Sequence, residues 1–429
     1  MRERADSWNR EFGGDVEFAL GPGRLKLIGL DRWSHEPYAQ TIATAFADGA
    51  DPVGDRYTQT GDLKERIARG EYSWKMFGGD WQLSGEAAFN TLDNVAALFT
   101  LDSAGDFVGL PFPDGTGGVD EDRYEGLLSF GHPLGKTLSL QIVAGAERST
   151  IAQTGVDGAR RTFVRPKGSV SLAWKPSARF DVSAKLRRRV LQLSFYDFLG
   201  RVFLDNGSQN GGNAELVPQQ DWTLEVEANR RFGAWGSTKV RLIYRDVQDY
   251  VGVVPIGEAG EAVGNVAKAR AGAIDWTSTI QFDPLGWKGA KLDTRVLLQR
   301  SRLRDPLTGE RRQYSDFTDT LVTAEFRRDV PGSDWAYGGG LEYTHIQPSY
   351  RLDQVDRIYE GPLFDSLFVE NKDVFGLTMR AEVTNLTNGR SLRDRTVYEG
   401  RRDASPIAFV ERRNRLIGPI FSFSVKGKF

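Results

Sequence analysis

Apolar and polar residues alternate one for one in stretch after stretch of this chain, and that regularity restricts it to β-structure. In TLSLQIVAGA (137–146), Leu138, Leu140, Ile142, Ala144 and Ala146 share one face, while Thr137, Ser139, Gln141 and Gly145 share the other; Val143 is the exception. Phe180, Val182, Ala184 and Leu186 oppose Asp181, Ser183, Lys185 and Arg187 in the same way. The pattern returns in DWTLEVEAN (221–229), IDWTSTIQF (274–282) and FGLTMRAEV (375–383). A period of two is the period of a strand. These strands run to about ten residues, longer than the usual five or six. One face is apolar and the other carries full charges: Lys185, Arg187, Glu225, Glu227, Arg380 and Glu382. Alternation alone fits a sandwich with one wet face. The length and the run of charges favour a strand that crosses a bilayer.

The connections add a second regularity. Short links are expected at 21–23, 77–80, 133–136, 175–179, 232–237, 283–290, 329–334 and 385–390. Longer polar stretches lie between them, at 34–63, 91–121, 148–160, 190–218, 248–265, 303–313, 346–366 and 400–412. Short and long alternate strictly. An up-and-down barrel in a membrane has short turns at one rim and long loops at the other, whereas Greek-key sandwiches give no such order. Trp74, Trp81, Trp174, Trp235, Trp287 and Trp335 all lie in or beside a short link. Indole rings favour the membrane–water boundary, where the ring is half buried and the N–H stays wet. The competing reading is that these rings cap a soluble core. In hydrocarbon an unpaired backbone group costs several kcal/mol, so strands span a bilayer only as a barrel. The reading is therefore all-β, an antiparallel up-and-down transmembrane β-barrel, with the apolar rows toward lipid and the charged rows toward a polar lumen.

Eight short links and a last strand give about seventeen strands, an odd number, whereas bacterial single-chain barrels have even ones. The expectation is that residues 1–429 are one barrel region that begins inside an outer loop of a larger protein.

Composition excludes other classes. The net charge is −2, so nothing favours the phosphates of nucleic acid. There is no cysteine, hence no disulfide or thiolate site. No apolar run reaches the eighteen residues of a transmembrane helix, and the first residues lack the apolar core of a signal peptide. The three histidines, His35, His132 and His345, share no close spacing and stand in no catalytic or metal motif. No catalytic residue, cofactor or metal site is expected, and the chain is not read as an enzyme. LRRRV (186–190) could hold an anion through its guanidinium groups, or simply line the lumen. DEDRYEG (120–126) lacks calcium-loop spacing and is expected to be a solvated loop. In SFYDFLGRVF (194–203), Phe195, Tyr196, Phe198 and Phe203 fall in a long outer loop. Aromatics there either contact a ligand or pack the loop against itself or a neighbour.

Three segments carry a family resemblance. VTNLTN (383–388) looks like a turn before the last two strands, and RTVYEGRR (395–402) with ERRNRLIGPIFSFSVKGKF (411–429) is similar to a closing strand pair. GNAELVPQQDWTLEVEANRRF (212–232) keeps Asn213, Leu216 and Pro218 of a loop-to-strand motif, but has Gln219 and Ala228 where Glu and Gly are usual. Together they resemble the C-terminal region of TonB-dependent receptors, active transporters of the Gram-negative outer membrane. The resemblance implies energy-coupled uptake of a scarce solute of the siderophore-iron, cobalamin or oligosaccharide class. It also implies a barrel of 22 strands, of which this chain would be an incomplete, about 17-strand part lacking the plug. Implied partners are outer-membrane lipid and lipopolysaccharide, the barrel-assembly machinery, a small-molecule ligand, and the TonB complex only through the missing plug. It makes Phe429, at the end of FSFSVKGKF, an assembly signal. The alternatives are a diffusion porin or other outer-membrane channel, and a soluble all-β carbohydrate-binding protein or enzyme.

Overall fold

A computed structural model describes residues 1–154, 158–205, 207–258 and 260–427; Phe429 lies outside the described residues. Seventeen long strands succeed one another: β1 (Trp8–Leu20), β2 (Gly23–Thr44), β3 (Val53–Met76), β4 (Gly79–Leu101), β5 (Gly117–Pro133), β6 (Leu138–Thr154), β7 (Arg160–Ser177), β8 (Phe180–Val190), β9 (Gln220–Arg231), β10 (Gly236–Ile256), β11 (Gly260–Gln281), β12 (Ala290–Arg304), β13 (Thr318–Asp329), β14 (Trp335–Ile346), β15 (Leu363–Val374), β16 (Leu377–Thr384) and β17 (Ile420–Lys426). With three short segments, Arg2–Ala5, Phe107–Leu110 and Arg311–Arg312, they make one 20-stranded sheet. Each long strand pairs antiparallel with its predecessor and its successor in the chain, which is an up-and-down wall. Among the described residues β1 pairs only with β2 and β17 only with β16, so the wall has two unpaired edges.

The register sorts the side chains as the alternation requires. Trp81, Phe130, Ile142, Val170, Leu186 and Leu224 stand opposite one another across six successive strands, all on one face. Ile142, Val170, Leu186 and Leu224 are each about two-fifths exposed. The row leaves the short-turn rim on β4 and reaches the long-loop side by β9, the stagger that closing a tilted sheet demands. A soluble sheet would cover such a row. Here nothing among the described residues covers it, and lipid is the environment that suits it.

Rings mark both ends of the apolar band. At the short-turn rim, Trp74 stacks on Trp81 at 6.1 Å and on Tyr72 at 5.3 Å, and Trp81 meets Phe130 at 4.6 Å. Farther round, Trp287 meets Phe326 at 4.9 Å. Toward the other end, Phe89 and Tyr124 meet edge to face at 6.0 Å. Trp81 and Phe89 share the outer face of β4 eight residues apart. That is about 26 Å along the strand, close to the ≈25 Å apolar band of an outer-membrane barrel. At the Phe89 end the same face turns ionic: Arg66 stands opposite Phe89 with Asp31 beside it, and farther round Arg270 bonds Asp246.

The inner face is a lattice of cross-strand ion pairs. Arg69 meets Glu71 and Glu86, Arg123 meets Glu86 and Glu147, and Lys167 meets Glu147 and Glu125. These seven groups lie on five neighbouring strands, so the charges of one strand are neutralised by the next. DEDRYEG belongs to this lattice rather than to a loop. It is part of β5, where Glu121 accepts from Ser149 and Asn90, and Glu125 from Lys167. A strand with charges on one face reads as a solvated loop when its other face, here Asp120, Asp122 and Tyr124, is also polar.

Two further expectations are corrected. NLTNGR (385–390) is not a rim turn. The turn lies at Val374–Leu377, and Asn385–Gly389 is a break within a continuing strand, which resumes as Arg390–Tyr398. Its neighbours break beside it: Gln354–Gly361 leads into β15 through Pro362, and Ile407–Leu416 leads into β17. Asn385, fully buried in the left-handed region at φ 60°, donates to the carbonyls of Gly389 and Gly418 and holds the break together. One turn moves from 385–390 to Val374–Leu377, so the number of long strands remains seventeen. Likewise 34–63, 248–265 and 346–366 are mostly strand. Above the membrane both faces are wet, so alternation fades while backbone pairing continues.

Candidate functional site: the mouth at the long-loop rim

The β8–β9 connection, residues 191–219, folds inward across the mouth. It is closed at its base by the Leu191 N–H on the Gln219 carbonyl. From there it reaches round the rim. The Tyr196 hydroxyl donates to Glu36 on β2 at 3.0 Å, and the Leu204 N–H donates to Gln40 on the same strand. The Gly200 N–H donates to the Asp114 carbonyl of the β4–β5 connection, and Gln153 on β6 donates to the Phe198 carbonyl. On β11, Asn213 donates to the Val263 carbonyl, while Asn265 exchanges hydrogen bonds with the backbone of Val217.

The segment is held by a small apolar core of its own inside the lumen. Phe198 and Leu216 pack with Val119 of β5 and Ile151 of β6, all four buried, and Phe163, Leu193, Phe195 and Val263 surround them. Val119 and Ile151 lie on the lumen face, in line with Glu121 and Glu147. The four aromatics therefore have different surroundings. Phe198 is an anchor, with 3% of its surface exposed. Tyr196 is half-buried, and both burial and its bond to Glu36 push its phenol up, so it is a hydrogen-bond donor at every ordinary pH. The guanidinium groups of Arg201 and Arg351 lie over the Phe203 ring, at 5.5 and 5.6 Å. Phe195 flanks the core. Under the loop lies a cavity of about 390 Å3 lined by Arg32, Glu36, Glu65, Asn90, Glu121 and Tyr196.

Two ionic clamps fasten the neighbouring loops, and the first of them holds on to this one through Asn210. Glu261 of β11 accepts from Arg351 Nε and from the Leu352 N–H, both at 2.7 Å, and Arg351 also bonds Asn210. Asp305 accepts from Arg312 Nε and Arg402 Nη2, both at 2.6 Å, and from the Leu307 and Thr308 N–H groups. Burial alone would raise the Asp305 carboxyl. The Thr308 N–H and the two guanidinium groups outweigh it and hold the group at about 2. A depressed carboxyl contributes stability above its ordinary value of 3.8 and loses it as pH falls through the folded value. Protection of the amides in 305–317, exchange taken relative to the intrinsic rate at each pH, is therefore expected to be unchanged from pH 7 to about 4 and to fall between about 4 and 2; Asp305→Asn should show the reduced protection already at pH 7. Equal exchange in variant and parent at pH 7 would contradict the clamp.

No sequence signal pointed to Glu36, Glu261, Asp305 or Arg351, because each acts on a partner dozens of residues away or more, except Asp305 with its own loop. The histidines each bond locally: His35 to Asp62 at 2.7 Å, His345 to Asp319 at 2.8 Å, and His132 to the Gly78 carbonyl at 3.0 Å. Among the described residues no three His, Asp or Glu side chains gather into a set that could hold a metal.

No protein-family model matches the chain, and no curated protein matches it by sequence. Solved structures do match by fold. The copper transporter OprC superposes over 99% of this chain and 72% of its own, with a TM-score of 0.63 at 12% identity. The ferric-catecholate import receptor Fiu from E. coli K12 gives 98%, 64%, 0.63 and 9% in the same order. The ferric citrate transporter FecA gives 98%, 62%, 0.65 and 8%. The chain thus spans between three-fifths and three-quarters of their lengths. These neighbours are TonB-dependent receptors of the Gram-negative outer membrane, and the fold described above is the fold of their barrels.

Proposed function

We propose that this chain forms the barrel wall and mouth of a TonB-dependent outer-membrane receptor that takes up a scarce solute of the siderophore-iron, cobalamin or oligosaccharide class. The observation that carries the reading is the mouth: an aromatic loop folded inward and fastened by polar bonds, above a wide lumen lined with paired charges. A sheet of this many strands is too wide for side chains to fill, so its interior is an aqueous path or a seat for another domain. Energy coupling would need a plug-type domain in that lumen, and the described residues supply wall and mouth alone. In this proposal Phe195, Tyr196 and Phe203 meet the solute, while Phe198 anchors the loop that carries them. Lipid and lipopolysaccharide surround the outer face, the barrel-assembly machinery inserts the chain, and Phe429 is its recognition signal. A non-enzymatic role accords with the fold neighbours, which are transporters and receptors.

The test is intrinsic fluorescence of the detergent-folded chain titrated with a ferric siderophore, cobalamin and a malto-oligosaccharide. One of the three should quench saturably, and Tyr196→Ala with Phe203→Ala should weaken it about tenfold, the scale of ~1.4 kcal/mol. No saturable quenching by any of them would count against the receptor reading. The inward loop also suits a diffusion channel. That alternative predicts steady ohmic conductance in a planar bilayer and no saturable solute site.

A further inference from the structure

The LRRRV run divides between the two faces of the wall. Arg188 faces outward over the Trp222 ring and donates to Gln220. Arg189 faces inward and binds Asp221 at 2.7 Å; Thr223 also donates to that carboxylate, at 2.6 Å. Arg187 stands in register with Thr223 and then with Arg245 on β10. Arg245 has no carboxylate partner among the described residues, and its Nε is buried without a hydrogen bond. Elsewhere the inner lattice pairs its guanidinium groups across strands: Arg241 and Arg295 both meet Asp275 at 2.9 Å. Around Arg245 three guanidinium groups face a single carboxylate, which Arg189 and Thr223 already occupy.

The space beside Arg245 is built. On β11 the inward positions are Ala271 and Ala273, with Gly272 between them, so the wall is low there. The β12–β13 connection roofs it with Tyr314 and Phe317, and Tyr250 meets Tyr314 with tilted rings at 4.4 Å. The result is a cavity of about 250 Å3 lined by Arg189, Arg245 and the Asp221 carboxylate that Arg189 holds, and by the rings of Tyr250, Tyr314 and Phe317. Tyr314 is 8% exposed, lines this cavity, and its hydroxyl is buried without a partner among the described residues. A buried hydroxyl and a buried guanidinium N–H left unpaired are costly. The guanidinium N–H can only donate and the hydroxyl can donate, so an acceptor would serve both.

We infer that this cavity binds a small carboxylate attached to an aromatic or other flat apolar group, with the carboxylate on Arg245 and Tyr314 and the apolar part between the Tyr250 ring and the Ala271–Ala273 floor. A guanidinium group presents a planar fork that matches a carboxylate, and the roof favours a flat group over a compact hydrated anion. The site lies in the wall beneath the β12–β13 connection, apart from the cavity under the β8–β9 loop. It does not depend on the transport reading.

The probe is benzoate, followed by saturation-transfer NMR and titration calorimetry on the folded chain in detergent, with acetate, inorganic phosphate and benzamide as comparisons. Benzoate should bind saturably and at least tenfold more tightly than acetate or benzamide. Arg245→Gln should weaken it tenfold or more, and Tyr314→Phe by a smaller factor. Ala271→Val, which keeps every polar group and raises the floor, should also weaken it. Each variant is first matched to the parent in its β-sheet circular dichroism and heat-modifiable gel mobility. Benzoate binding unchanged in both Arg245→Gln and Ala271→Val, or phosphate binding more tightly than benzoate, would overturn the assignment. So would the absence of saturable benzoate binding.

Discussion

Ile142→Arg should prevent stable insertion of the chain, while Gln141→Arg, one residue away, should be nearly silent. Ile142 lies on the outer face of β6, between Phe130 and Val170 in the register row. It sits inside the band bounded by the short-turn rings and the outward Arg148. An arginine near the bilayer midplane on a barrel's lipid face costs about 2–4 kcal/mol. Gln141 faces the lumen, exposed to water between Gly131 and Ser171, and an exposed substitution there is worth within about 0.5 kcal/mol. The measurement is urea unfolding in phospholipid vesicles, followed by tryptophan fluorescence. A small difference between the two variants would mean that the outer face does not meet lipid.

The second large effect lies above the membrane. In the sheet formed by Ser349–Tyr350, Gln354–Gly361, Arg390–Tyr398 and Ile407–Leu416, Arg393 grips Asp356 with both branches of its guanidinium group, at 2.6 and 3.1 Å. Both residues are about 95% buried. Removing one partner of a buried pair leaves an uncompensated charge, at a cost of about 3–5 kcal/mol. Asp316, whose carboxyl is pushed up first by burial and then by the negative charge of Asp356, would add to the repulsion. Arg393→Ala should therefore open this sheet, seen as fast amide exchange across 390–416. Arg393→Met combined with Asp356→Leu should restore most of the protection, since replacing both charges by apolar groups is often neutral. Failure of the double variant to recover would show that the pair contributes more than charge compensation.

The wall was legible because a membrane imposes its pattern on the sequence. Leu138 to Ala146 must alternate where one face meets lipid, and Phe421, Phe423 and Val425 stand in register with Val383, Ala381 and Met379 as that alternation requires. The signal ends where the lipid ends. Residues 53–63 of β3 look like loop because water wets both sides, yet they pair with β2 throughout. Asn385–Gly389 has the composition of a turn, and only the pairing of Arg390–Tyr398 with Gln354–Gly361 shows that the strand continues. At the mouth, the aromatic cluster 195–203 was visible in the sequence and its direction was not. Whether a loop leans outward or folds in depends on partners such as Glu36, 160 residues from Tyr196. Arg187 and Arg189 were visible as a basic run, while the pocket beside them depends on Ala271 and Tyr314, which carry no local signal.

The chain has no cysteine, so single cysteines can be introduced one at a time from Gln82 to Asn90 on β4 and spin-labelled in phospholipid vesicles. Collision with oxygen, which concentrates in lipid, is compared with collision with a water-soluble nickel chelate. A period of two is expected: labels at Leu83, Gly85, Ala87 and Phe89 favour oxygen, labels at Gln82, Ser84, Glu86 and Asn90 favour nickel, and Ala88, fully buried on the lumen face, is left out of the comparison. Odd-numbered labels shielded from both reagents, as in the core of a soluble sheet, would contradict it.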